Sequence, residues 1–226
     1  MTSVTFEDYK RHFEQFSKID TAEKLAICKN QYEKHLLHIE DEQYFEPVTE
    51  RLGDDIVSQY EKNLNKIFLF DKIRDKQFYF LVRPSFEPEN LLTLEKQNDR
   101  YLLIHLTLTK NYWTLFYADN KIMDVPKVTV KSELNRKTGD ILFSLLDKAI
   151  IEAKQPTANG FTLDGVVYRL SKLYNEGQKI VGKHSPRESS KSGKIIGVMQ
   201  QLIENIEHLD DAKLLNIETK ILHLQD

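Results

Sequence analysis

Gln77-Phe78-Tyr79-Phe80-Leu81-Val82, stopped by Pro84, is where the character of this 226-residue chain changes. Before it the apolar residues recur at helical spacing. Here they run without a break, rich in aromatics, which is how a strand reads. Tyr101-Leu102-Leu103-Ile104-His105-Leu106-Thr107-Leu108 is a second strand of this kind. Asn111 to Tyr117 reads as its partner, with Ala118-Asp119-Asn120-Lys121 as a turn. Lys127-Val128-Thr129-Val130 adds a further strand. Leu163-Asp164-Gly165-Val166-Val167-Tyr168-Arg169-Leu170 opens a hairpin-like pair that leads to a polar loop at His184-Ser185-Pro186.

Helices flank this middle. Phe6, Tyr9, Phe13 and Phe16 recur three and four apart, which places them on one helical face. Asp20 or Thr21 suits a second helix start, because a short side-chain oxygen accepts a bond from a first-turn amide. Leu25, Cys28, Tyr32, His35, Leu36 and Ile39 form that helix's stripe. Pro47 marks a third start, with Leu52, Ile56, Tyr60 and Leu64 as its face and Gly53 weakening it. Ile67 to Ile73 reads as either strand or helix. Helix returns from Thr138 to Lys154, ended by Pro156 and Gly160, and then from Ile195 to Leu224. The layout is α+β: a helical N-terminal part, a central antiparallel sheet and C-terminal helices. The helical region is expected over 1–65 and the α+β domain over 66–226, or as one continuous domain over 1–226. No Pro/Gly/Ser-rich joint separates them.

Composition bounds the function. Hydrophobic residues at 40% and charged residues at 30% describe a globular chain, and 8 glycines with 6 prolines argue against disorder. The net charge of −3 gives no general field for nucleic acid. One cysteine, Cys28, forms no internal disulfide and reads as a core or boundary thiol. Met1 to Asp8 has no basic segment followed by an apolar run, and no window is apolar enough to span a bilayer. The expected location is the cytoplasm, with no membrane partner.

The motifs of chemistry are missing one by one. His35-Leu36-Leu37-His38 has histidines three apart, where a zinc-protease helix needs four and a glutamate after the first. Gly193-Lys194 opens a helix, but Glu188 stands where a phosphate loop needs glycine and Ile195 where it needs Ser or Thr. Ser185 beside His184 lacks the Gly-x-Ser-x-Gly turn. No metal, cofactor or catalytic residue is expected.

Two poles of charge remain. Glu40, Asp41, Glu42, Glu46, Glu50, Asp54 and Asp55 gather acids, interrupted by Arg51. Lys179, Lys183, Arg187, Lys191 and Lys194 gather bases against Glu188 alone. The acidic pole is suited to steer a basic protein partner. Tyr44, Phe45 and Trp113 are the candidate anchors beside Glu40, Asp41, Glu42, Glu46, Asp54 and Asp55.

The strand Leu163 to Leu170, followed by Gly177, Gly182-Lys183-His184-Ser185-Pro186 and a helix, resembles bacterial toxin-immunity proteins over about a fifth of the chain. That resemblance implies a non-enzymatic, cytoplasmic binder that occludes a basic toxin domain. Two other classes stay open. An enzyme assembled from dispersed residues would join His105, His184 and nearby acids in a deep pocket. A regulatory or scaffold subunit would expose a large apolar patch.

Overall fold

The computed structural model describes residues 4–48, 53–68, 77–119, 125–157 and 164–225. Its helices are α1 (Phe6–Glu14), α2 (Ala22–Asp41), α3 (Ile56–Phe68), α4 (Tyr112–Asp119), α5 (Arg136–Ile151), α6 (Lys191–Asn205) and α7 (Asp211–Gln225). Its strands are β1 (Glu46–Pro47), β2 (Gln77–Pro84), β3 (Asn90–Gln97), β4 (Arg100–Leu108), β5 (Lys127–Asn135), β6 (Val166–Tyr174) and β7 (Gly177–His184). They form one antiparallel sheet in the order β1-β7-β6-β2-β3-β4-β5. The architecture is α+β.

Strand alternation divides the interior. Phe78, Phe80 and Val82 of β2 point to one face, with Leu92, Leu103, Leu170 and Val181 beside them, and α5, α6 and α7 cover that face. Tyr79 and Leu81 point to the other, where Tyr60 and Leu64 of α3 and Tyr112 and Phe116 of α4 cover them. At ~25 cal/mol per Å² of apolar surface, burial on two faces is the main force holding β2 at the centre. The boundary expected near residue 65 falls inside α3.

Several local expectations are corrected. Asn111 to Tyr117 is helix rather than strand. The Asn111 carboxamide oxygen accepts from the Thr114 amide at 2.7 Å, and the Glu89 carboxylate accepts from the Tyr112 and Trp113 amides. These caps outweigh the strand preference of the aromatics, a preference that depends strongly on context. The partner of β4 is β5, which extends the Lys127 to Val130 segment to Asn135. Leu91-Leu92-Thr93-Leu94, assigned to no element from sequence, is the heart of β3. Pro47 starts no helix: it pairs with Val181 in β1. The third helix begins at Ile56, where Asp55 accepts from the Val57 and Ser58 amides at 3.0 and 3.1 Å. Ala118 and Asp119, read as the start of a turn, are the end of α4. Glu50, Arg51, Leu52, Asn120, Lys121, Gly160 and Leu163 lie outside the described residues, as does most of the Ile67 to Ile73 stretch.

The N-terminal helices form as read, but Phe16 lies beyond α1 and is exposed, as is Leu36 of the second stripe. Thr21 caps α2, and Phe6 and Tyr9 of α1 pack on Tyr32 with ring centroids 5.4 and 5.5 Å apart. Among the described residues no helix is long and apolar enough to cross a membrane.

Two helix glycines carry opposite expectations. A Cβ on Gly139 would stand 1.9 Å from the Tyr101 ring, on which the first turn of α5 lies flush. A Cβ on Gly197 would meet nothing within 4 Å. Gly139→Ala is therefore expected to lower the unfolding free energy by about 1–3 kcal/mol through overpacking. Gly197→Ala is expected to raise it by about 0.5–1 kcal/mol through helix propensity. Urea denaturation of both variants checks the two signs.

Candidate functional site

The alternation that buries Tyr79 and Leu81 also turns Arg83 onto the face covered by α3 and α4. In β6, Val167 and Arg169 face the same way, because Arg83 pairs with Val167 and Leu81 with Arg169. His184 pairs with Val167 from the opposite side and shares that face. Two arginines and a histidine therefore project from three adjacent strands into the layer that holds Tyr79 and Leu81.

α3 supplies the counterion. One oxygen of Glu61 accepts from Arg83 Nη1 at 2.8 Å and from Arg169 Nη2 at 2.7 Å. Burial alone would raise the Glu61 pKa, but the Arg169 and Arg83 charges outweigh it and hold the carboxyl below its usual value. The neighbouring Tyr60 lies with its ring 5.1 Å from the Arg83 guanidinium, a cation–π contact. Its hydroxyl donates to Glu89 at 2.7 Å. Burial pushes the Tyr60 pKa far up, so the phenol stays a donor. Glu89 is fully buried and also takes the Tyr112 and Trp113 amides, which sets a negative charge at the N-terminus of α4. The chain of contacts Arg169–Glu61–Arg83–Tyr60–Glu89 thus fixes where α4 starts and where Trp113 and Tyr117 project.

Above this floor lies a cleft of about 580 Å³, lined by Tyr60, Arg83, Phe86, Trp113, Tyr117 and His184. Phe86 is 80% exposed and Tyr117 65% exposed, while Trp113 stacks edge-on against Tyr60 at 4.9 Å. The far wall is a close backbone approach. Gly165 has φ +138°, and a Cβ there would stand 2.1 Å from Ser185 Oγ. Ser185 itself has φ 36°, and its hydroxyl accepts from the Val166 amide at 2.9 Å. That hydroxyl serves the turn, so Ser185 and His184 form no nucleophile–base pair.

A groove of about 590 Å³ between α6 and α7 is similar in size. Its lining charges, Glu188, Lys194, Glu204 and Lys220, are mixed in sign. No unpartnered buried polar atom among the described residues belongs to it, whereas Arg83 and His184 of the cleft each carry one.

The residues expected to bind a partner are differently placed. The two charge poles close on each other. Lys183 reaches Glu46 at 2.6 Å and the Asp41 carbonyl at 2.8 Å. Arg187 pairs with Glu42, a buried residue that His38 also approaches at 3.2 Å. Asp41 accepts from the Thr157 amide and hydroxyl. Asp55 caps α3 while staying exposed, and with Glu40 and Asp54 it makes up the exposed acids of the patch among the described residues. Tyr44 lies under the Lys154 ammonium at 3.7 Å, and Phe45, 2% exposed, belongs to the core. Phe45 and Glu42 are thus interior residues rather than exposed contacts, because β1 docks this segment on β7. Trp113 is the expected anchor that lies at the cleft. His105 sits on the opposite face, paired with Leu92 and Val130, so it does not meet His184. Among the described residues no three or more His, Cys, Asp or Glu side chains gather as a metal site.

Arg83, Arg169, Glu61 and Phe86 were not singled out from the sequence. The signal for the arginines was an obligate cation at an inward position of an apolar strand. No family model matches the chain, and neither a curated protein nor a solved structure matches it.

Glu61→Gln would leave two arginines, each with a side chain 12% exposed, without a counterion. The expected loss is about 3 kcal/mol of stability. Glu61 has a depressed folded-state pKa, so its contribution is present above the unfolded value of about 4.3 and disappears as pH falls through the folded one. Denaturation curves from pH 7 to pH 2 should show the wild type losing its advantage over Glu61→Gln in that acid range. Parallel curves would contradict the triad.

Proposed function

We propose that this chain is a non-enzymatic protein-binding protein that works by occlusion, and that its partner is an interbacterial toxin. The resemblance of Leu163 to Pro186 to immunity proteins supports the class. The carrying observation is the cleft: solvent-exposed Phe86 and Tyr117 flank Trp113 above a floor fixed by buried ion pairs. Rigid aromatics around a preorganised concavity are the arrangement in which a few residues provide most of the binding energy. Because the acids at Asp41, Glu42 and Glu46 are engaged within the chain, the patch offers little steering to a basic partner. The docking role passes to the cleft, with Phe86, Trp113 and Tyr117 as anchors.

An enzymatic reading with His105 and His184 in one pocket finds no support in their placement on opposite faces of the sheet.

Capture from the native host on wild-type protein, followed by rescue from the captured toxin in co-expressing cells, tests the proposal. Phe86→Ala/Tyr117→Ala should unfold at the temperature of the wild type, since both side chains are mostly solvated. It should raise the Kd for the purified partner at least about tenfold, equivalent to ~1.4 kcal/mol, and reduce protection. Turnover of a small metabolite by the purified chain, abolished by His184→Ala, would overturn the proposal.

A further inference from the structure

β5 ends the sheet on one side, and its outer edge is open. The opposite side ends in β1, a strand of 2 residues, whereas β5 has 9 and pairs with β4 in one unbroken register from Lys127 to Asn135. The Thr109 amide donates to the Pro126 carbonyl at 3.0 Å, which fixes the parity of that ladder. Val128, Val130, Ser132 and Leu134 turn their amides and carbonyls towards β4, so Lys127, Thr129, Lys131 and Glu133 turn theirs outward. Among the described residues no group bonds to those outward amides and carbonyls. Neither helical layer covers this edge. The side chains of Lys127, Thr129, Lys131 and Glu133 are exposed on one face, and Val128 is 56% exposed on the other. A long, regular and bare edge is a template for one more strand.

The sequence of β5 selects the strand that fits. Lys127 and Glu133 lie at equal distances on either side of Val130 and carry opposite charges. An antiparallel copy of β5 centred on Val130 therefore sets each Lys127 opposite a Glu133, each Thr129 opposite a Lys131, and Val130 opposite itself. The outward residues then form the hydrogen-bonded pairs, each exchanging two bonds, while Val128, Val130 and Ser132 form the closer pairs between them. Opposite charges and β-branched side chains that face each other across strands both stabilise the pairing. Moving the centre by one residue is penalised. A centre at Thr129 sets Lys127 against Lys131, and a centre at Lys131 sets that lysine against itself. The edge lysines thus block the neighbouring registers and leave this one. A centre at Ser132 also joins Lys131 to Glu133, but it runs Val128 against Arg136, the first residue of α5. Both charges can take the new partner, because Arg100 engages one oxygen of Glu133 and the Ile67 carbonyl one donor of Lys127.

We propose that β5 is a self-association edge, at which two copies of this chain join antiparallel about Val130 and continue one sheet into the other. The occupant is a second copy because the charge pattern of β5 complements its own reverse. Val128 and Val130 of the two molecules cover one another on the face of α5, α6 and α7. β3 and β4 lie between β5 and β2, so this contact is separate from the cleft.

Sedimentation velocity of the full chain, at concentrations up to about 1 mM, should show a reversible monomer–dimer equilibrium. Thr129→Pro removes an outward amide, a change that an edge strand tolerates, and should abolish the dimer while the variant still unfolds cooperatively. Lys127→Glu should raise the dimer Kd at least about tenfold, and Lys127→Glu/Glu133→Lys should restore it. Val130→Cys would bring two thiols into a close pair with Cα atoms about 4.5 Å apart, within disulfide reach, so mild oxidation should yield a covalent dimer. The wild type, whose Cys28 is buried, should stay uncrosslinked. A chain that remains monomeric at every concentration, or a dimer that Thr129→Pro leaves intact, would overturn the edge. Crosslinking of Ser132→Cys in place of Val130→Cys would overturn the pairing about Val130.

Discussion

The structure depends on β2 being covered on both faces. Phe78, Phe80 and Val82 require one helical layer, while Tyr79 and Leu81 require another. A sheet with one wet face needs only the first. The demand for a second layer places α3 and α4 over the sheet, and the cleft is the space those short helices leave uncovered. Continuing the alternation by two residues brings Arg83 into that layer. A cation there is tolerable only with a counterion, and Glu61 on α3 supplies one for Arg83 and Arg169 together. The hydrophobic requirement sets where the layer goes, and the ion triad sets how α3 is rotated within it.

The same economy governs the exterior. Glu42 and Glu46 meet Arg187 and Lys183 across 145 and 137 residues of chain. These contacts fasten β1, and the end of α2 before it, to β7. Part of what looks in sequence like two separate charged surfaces is thus one seam, made by two ion pairs. Lys183 and Glu42 are both nearly out of solvent, so removing either would strand a charge rather than reveal a binding face.

Much of the fold was legible because periodicity is local. β2, β4, the β6–β7 hairpin and the C-terminal helices follow from runs and spacings of apolar residues. The exceptions are set by distant groups. Asn111 to Tyr117 has the residues of a strand, yet Glu89, some twenty positions earlier, supplies the acceptor that starts a helix there. β3 was passed over because its apolar run, Leu91 to Leu94, is short, broken by Thr93 and followed by the polar Glu95-Lys96-Gln97. Of the site, Trp113 was visible as a candidate anchor. The Arg83–Glu61–Arg169 triad was not, since it joins three elements whose proximity only the sheet order decides. The acids were visible, but their partners were not.

The central claim is that the molecule meets its partner through the cleft above Arg83 and not through the acids at the end of α2. Hydrogen–deuterium exchange of the full chain, free and saturated with its partner, tests this most directly. Slowed exchange should appear in α4 and in the segment from Ser85 to Glu89. Protection confined to Glu40 through Glu46, with α4 unchanged, would contradict it.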